Sequence, residues 1–143
     1  MLKQFLTISL FLIFSFGCSE QGQVSLEFRI AEDEPASDLT EMVFEMTGEK
    51  FYLHNEVLVD QTDIDTAFVT KQNDRPAVLL ILTPEGKNKF EKLTENNIGK
   101  RCAMILDGEL VSAPRIMATI SEGRALLSGN FTEAEAREIA GKL

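Results

Sequence analysis

Residues 77–108 read AVLLILTPEGKNKFEKLTENNIGKRCAMILDG, and the fold turns on this stretch. Ala77 to Leu82 is apolar throughout, which predicts a central strand covered on both faces. Thr83-Pro84-Glu85 then opens a helix. Thr is a good N-cap, and Pro is tolerated at the first helical position because its missing N–H would be unpaired there. The helix is predicted to run to about Asn97, with Gly86, Phe90 and Leu93 sharing one face by helical spacing. Gly99 suits a left-handed C-terminal position. Arg101 to Leu106 reads as the next strand, and Asp107-Gly108 is the strongest hairpin signal in the chain.

Upstream, Val24, Leu26, Phe28 and Ile30 alternate with polar residues, the period of a strand with one buried face. Glu32 to Ser37 is acidic, contains Pro35 and reads as a loop. Met42 to Met46, Phe51 to Leu53 and Val57 to Val59 are short strand candidates, with a turn at Thr47-Gly48-Glu49-Lys50. Asp63 to Lys71 pairs with Ala77 to Leu82 across Gln72-Asn73-Asp74-Arg75.

Downstream, Glu109 to Ser112 returns from the hairpin. Ala113-Pro114 breaks the pairing, since Pro has no donor to give. Arg115 to Ile120 and Arg124 to Ser128 are read as further strands around the turn Ser121-Glu122-Gly123. Thr132-Glu133-Ala134-Glu135 is a capping box that opens the last helix, and Ala136, Ile139, Ala140 and Leu143 form its buried stripe. The expected class is α+β: a mixed or mainly antiparallel sheet with two main helices packed on one face.

The N-terminus has a different character. After Lys3, residues 5–16 read FLTISLFLIFSF, twelve residues without charge. A spanning helix needs about 20 apolar residues, so this run fits a secretory leader ending at residue 17; the alternative is an uncleaved anchor. Ser15 and Gly17 are small residues before Cys18. Ser-Phe-Gly-Cys looks like a bacterial lipobox, although Ser15 and Phe16 depart from its usual pattern. Cys18 is therefore a lipidation candidate (a palmitate-bearing lipoprotein), and the alternative is an ordinary secreted protein. One acyl chain anchors only marginally, whereas a multiply acylated Cys18 would hold the domain on a membrane. Ser19 resembles an outer-membrane sorting signal. The expected organisation is a leader over 1–17, an anchor and short linker over 18–23, and one domain over 24–143.

The formal charge is −9, and loss of Lys3 with the leader takes it to −10. Such a surface repels phosphate backbones, so nucleic acid is excluded as a partner. If Cys18 is lipidated, Cys102 has no partner, and its apolar surroundings predict a buried inert thiol. His54 is the only histidine, and no second ligand stands at metal-binding spacing. No nucleophile elbow, phosphate loop or dinucleotide fingerprint is present, so neither an enzyme nor a metal or cofactor site is expected. Glu32-Asp33-Glu34 reads as solvated charge, and Thr132 of the Asn130-Phe131-Thr132 sequon as a helix cap.

Four segments together resemble one family. They are Leu82-Thr83-Pro84-Glu85-Gly86 with Phe90 and Leu93-Thr94; Asn97 to Gly108; Val111-Ser112-Ala113-Pro114-Arg115-Ile116; and Gly123-Arg124-Ala125 through Ser128-Gly129-Asn130-Phe131-Thr132 to Glu135-Ala136. Their order and spacing are similar to the head subdomain of the first periplasmic domain of SecD. The stretch from Met42 to Val78, with the Thr62-Asp63-Ile64 turn, fits the same family. The chain lacks the LDLRGG-like strand that opens the periplasmic region of SecD and stops at Leu143, so the resemblance implies a head without the membrane motor. It further implies an exported, envelope-located, non-catalytic module, on the periplasmic side of the outer membrane or free in the periplasm. Its expected partners are exported polypeptide, an envelope protein or Sec translocase components. The turn Asp107-Gly108 and the segment Ser112-Ala113-Pro114 are candidate contact loops, with strand addition to an open sheet edge as the binding mode. The alternative is an envelope scaffold or small-ligand-binding lipoprotein, which an enclosed apolar pocket would favour.

Overall fold

The structure is a computed structural model that describes residues 22–143. The leader over 1–17 and Cys18 lie outside the described residues. Among the described residues, no helix is long and apolar enough to cross a membrane.

Among the described residues, nine strands and two α-helices follow in the order β1 (Leu26–Glu32), β2 (Thr40–Phe44), β3 (Glu49–Leu53), β4 (Val59–Asp60), β5 (Ile64–Gln72), β6 (Arg75–Leu82), α1 (Pro84–Asn96), β7 (Arg101–Leu106), β8 (Glu109–Ser112), β9 (Arg124–Ser128) and α2 (Glu133–Lys142). The fold is α+β, and every ladder between these strands is antiparallel. The strands form two sheets rather than one: β2-β3-β1-β7-β8, with β4 beside β1, and β5-β6-β9. The division arises because β6 pairs with β5 and with the distant β9, leaving β1 and β7 to each other.

Period-two alternation sorts the side chains into two cores. Leu26, Phe28 and Ile30 of β1 meet Val78, Leu80 and Leu127 of the smaller sheet, together with Phe90 and Leu93 of α1 and Ala136 and Ile139 of α2. Both helices thus serve one core. Phe28 and Phe90 cross edge to face with ring centroids 5.8 Å apart. The other face of the larger sheet carries Ala31, Phe51, Leu53, Ala103, Ile105, Leu110 and Ala113, with Met42 and Phe44 folded against them. The β2–β3 hairpin therefore curls over that face, and β2 comes close to β8.

Local signals work as the residues dictate. The Thr83 hydroxyl accepts from the Gly86 N–H at 3.0 Å. The Thr132 hydroxyl accepts from the Glu135 N–H at 3.2 Å, while the Glu135 carboxylate accepts from the Thr132 N–H at 2.7 Å. The first turn of α1 sits hard on the 3-10 turn Gln61–Asp63. There the buried Asp63 accepts from Lys89 Nζ at 2.8 Å and from the Asp60 N–H at 3.1 Å, and its carbonyl accepts from the Thr83 N–H at 2.9 Å. A Cβ on Gly86 would lie 2.4 Å from that carbonyl oxygen, so only glycine permits the approach.

Three expectations need correction. Arg115 to Ile120 is not a strand. Arg115 makes a single bridge to Arg101, and Ile116 exchanges backbone hydrogen bonds with Gly99 and Lys100. Beyond Ile116 the chain has passed the start of β7 and pairs with no strand among the described residues before Arg124. β6 is central in its sheet, but only Val78, Leu80 and Leu82 face the core, and Leu79 and Ile81 are half-buried on the far face. The turn before β3 lies at Glu45 to Gly48, so that Glu49 and Lys50 are already paired with β2.

Candidate functional site

The β7–β8 hairpin turns on Asp107 and Gly108 at φ 48° and 83°, both left-handed, as a two-residue turn of this hand requires. The tip is held down. The Asp107 N–H donates to the Ser25 carbonyl at 2.8 Å, and Asp107 Oδ1 accepts from the Ser25 N–H at 2.9 Å. β8 carries a register shift: Ser112 stands opposite Met104 but Leu110 opposite Ile105, which leaves Val111 as the extra residue of a bulge. Among the described residues, β8 forms a ladder only with β7. Its other edge has no ladder partner, although β2 and β9 both approach it.

Two open depressions run along that edge and share Phe44, Met46 and Val111. The first, of roughly 620 Å³, is floored by Leu106, Leu110, Phe131 and Ile139. The second, of roughly 450 Å³, continues past Ser112 and Ala113 to Pro76 and Gly129. Together they make one groove beside a strand edge without a ladder partner, apolar on its floor at the Asp107 end and more polar at the other, where Gln72, Asn73, Arg75 and Ser128 line it. Met46, on the turn after β2, is 45% exposed and forms part of the wall.

The candidate contact residues do not all meet here. Asp107 lines one end of the groove, and Ser112 and Ala113 line the other. Gly108 is exposed at the hairpin tip and lines neither depression. Pro114 faces a separate groove of roughly 500 Å³, lined by Leu79, Phe90, Ile116, Ile120 and Leu126. Its carbonyl accepts from the Cys102 N–H at 2.9 Å, so the chain just past β8 still extends the hydrogen bonding of β7. Buried Thr94 holds down the far end of this segment by accepting from the Ile120 N–H at 2.9 Å. Sequence reasoning missed Phe44, Met46 and Phe131 as groove residues. Phe44 and Met46 stand two apart in a strand candidate, but the wall they build exists only because the hairpin curls.

His54 Nε2 lies 3.1 Å from Glu32, which also accepts from Lys100 Nζ at 2.7 Å. The nearest polar company of the single imidazole is thus a surface ion pair rather than a nucleophile. Burial pushes the Cys102 thiol up to about 12, so it stays protonated at neutral pH and is a poor nucleophile.

The same end of the larger sheet has a charge network. Asp33 accepts from Arg101 Nε and from Arg115 Nη2, each at 2.7 Å. Hydrogen bonds from Arg115 and then Arg101 hold its carboxyl below its ordinary value of 3.8. A carboxylate depressed in the folded state adds stability above its unfolded pKa, and this is lost as pH falls through the folded value. The Tm difference between the protein and Asp33→Asn is therefore expected to stay level from pH 7 to about 5 and to close below the ordinary carboxylate range. Thermal scans across pH check this, and a difference that widened on acidification would refute it.

Comparison with known proteins gives consistent results. Residues 36–143 match the family model described as SecDF, P1 head subdomain. The SecD subunit of the protein translocase of Aquifex aeolicus is 44% identical over 93 residues, covering 64% of this chain and 18% of that protein. The SecDF subunit of Thermus thermophilus is 47% identical over 76 residues, covering 53% of this chain and 10% of that protein. The chain thus spans less than a fifth of the length of these relatives. A crystal structure of SecDF in its super-membrane-facing form superposes with a TM-score of 0.69 at 31% identity, covering 85% of this chain and 19% of that one. A second structure, of a membrane component SecDF that enhances protein export, gives 0.67 at 30% identity, covering 84% of this chain and 61% of that one.

Proposed function

The chain belongs to the SecDF P1 head subdomain family, and from that premise we propose that it is a non-catalytic, envelope-side module that takes up extended polypeptide along β8. One observation carries the reading: a groove with an apolar floor and an apolar centre at Phe44, Met46 and Val111 lies directly beside a strand edge that has no ladder partner among the described residues. Strand addition takes affinity from main-chain hydrogen bonds and is therefore tolerant of sequence, while apolar walls take up the alternate side chains. Both depressions are open, which suits a passing chain better than an enclosed small ligand. The polypeptide is an exported one in this reading, which rests on the family, and the partners are Sec translocase components or another envelope protein. A lipidated Cys18 would tether the domain to a membrane, an expectation that rests on residues 15–19 of the sequence alone.

The test is site-specific photocrosslinking of the protein as isolated from its expressing cells and held in zwitterionic nanodiscs. The probe is a reduced, alkylated exported protein that cannot refold. A crosslinker at Val111 or Met46 is expected to capture it saturably, and one at Thr62, outside the groove, is expected to capture little. Equal capture at all three positions, or none, would remove the proposal.

A further inference from the structure

We infer that the groove beside β8 selects extended apolar segments that carry basic side chains at one end. This rests on the groove reading above and names the class of polypeptide it takes. The floor is apolar, but the walls of the wider depression carry Glu45 on the turn after β2, Asp107 and Glu109 on the β7–β8 hairpin, and Glu135 and Glu138 on α2. Acidic side chains thus project from three different elements around one apolar floor.

Among the described residues, the single base on those walls is Lys142, and Glu138 already holds it at 2.6 Å. Glu135 is occupied by the Thr132 cap, whose backbone and hydroxyl hydrogen bonds hold its carboxyl below the usual range, so it stays ionised. Glu45, Asp107 and Glu109 make no ion pair among the described residues. At the other end of the groove, beside Ser112 and Ala113, the charged wall residue is Arg75. The groove is therefore polarised along β8, negative where the strand begins and positive where it ends.

An extended chain lying along this edge meets apolar surface through its centre, carboxylates at one end and a guanidinium at the other. Charge complementarity of this kind sets which partners bind and in which register, and like charges placed together are rejected. Lysines or arginines at one end of the segment fit, and acidic residues there do not.

The experiment compares two fluorescent peptides that share one β-branched apolar centre, one ending in a lysine pair and the other in a glutamate pair. Both are titrated against the nanodisc-held protein at low and at physiological salt. Several exposed charge pairs acting together are expected to make the lysine-ended peptide bind about tenfold tighter at low salt, with the ratio shrinking as salt screens it. The double variant Glu45→Lys, Glu109→Lys replaces two exposed wall residues, and its fold is checked by circular dichroism. In it the preference is expected to invert. Equal binding of both peptides, indifferent to salt and to the double variant, overturns the charge selection while leaving the groove reading intact. Failure of both peptides to bind, with no crosslink at Val111, overturns the groove reading and the selection with it.

Discussion

Gly86→Ala is expected to destabilise the protein by about 3 kcal/mol and to lower Tm by roughly 10 °C, although alanine is the better helix former. The reason is contact. The added Cβ would stand 2.4 Å from the Asp63 carbonyl oxygen and 2.8 Å from the Asp63 Cβ. Neither atom can yield. The carbonyl accepts from the Thr83 N–H that starts α1, and the Asp63 side chain is buried with Lys89 and the Asp60 N–H as partners. Relief requires lifting the first turn of α1, which also loosens Phe90 and Leu93 from the core. Gly141→Ala is the control. It lies in α2 with nothing within 4 Å of a new Cβ, so it is expected to be neutral or to stabilise by up to about 0.5 kcal/mol. Thermal or denaturant unfolding of both variants checks the contrast. A Gly86→Ala protein as stable as the parent would mean that α1 does not rest on Asp63 as described.

Phe28→Ala is expected to cost more, about 4 kcal/mol, against a total stability of roughly 5–15 kcal/mol for a domain of this kind. Phe28 is fully buried, belongs to the strand shared by both flanks of the larger sheet, and meets the Phe90 ring edge to face. Truncation removes the aromatic pair and leaves a cavity between the sheet and α1. Backbone hydrogen bonds on both sides of β1 hinder collapse into it, including the one from Leu58 N–H to the Phe28 carbonyl at 2.9 Å. Phe28→Leu keeps most of the volume and should cost under about 1.5 kcal/mol. Urea unfolding of the two variants separates the cases, and a loss below 2 kcal/mol for the alanine variant would show that the core refills the space.

What the sequence revealed follows the range of its signals. Thr83, the Thr132–Glu135 box and Asp107-Gly108 act within a few residues, so the helix starts and the main hairpin were legible. The pairing of β6 with β9 joins segments more than forty residues apart, and nothing local distinguishes it from one continuous sheet. The reading of Arg115 to Ile120 failed for a related reason: those residues have strand character, but the strand they would extend begins only at Arg101. Of the residues that line the groove, Asp107, Ser112 and Ala113 could be named because turn chemistry marks the ends of β8. Phe44 and Met46 could not, since their place in the wall depends on how far a hairpin bends over a sheet.

The link between Thr94 and Ile120 has a consequence for how the molecule breathes. From Met117 to Gly123 the chain has no regular structure, and Met117 is 78% exposed. Within that stretch the Ile120 amide is tied to the hydroxyl of Thr94, a residue 1% exposed, which itself donates to the carbonyls of Phe90 and Glu91. The strap can therefore ripple on either side of Ile120 without leaving the body of the protein. To swing away as a whole it must break that bond, whose acceptor belongs to the last turns of α1, as well as the one from the Leu82 N–H to the Gly123 carbonyl at 2.9 Å. Fraying of that helix end would therefore remove the anchor of the strap as well.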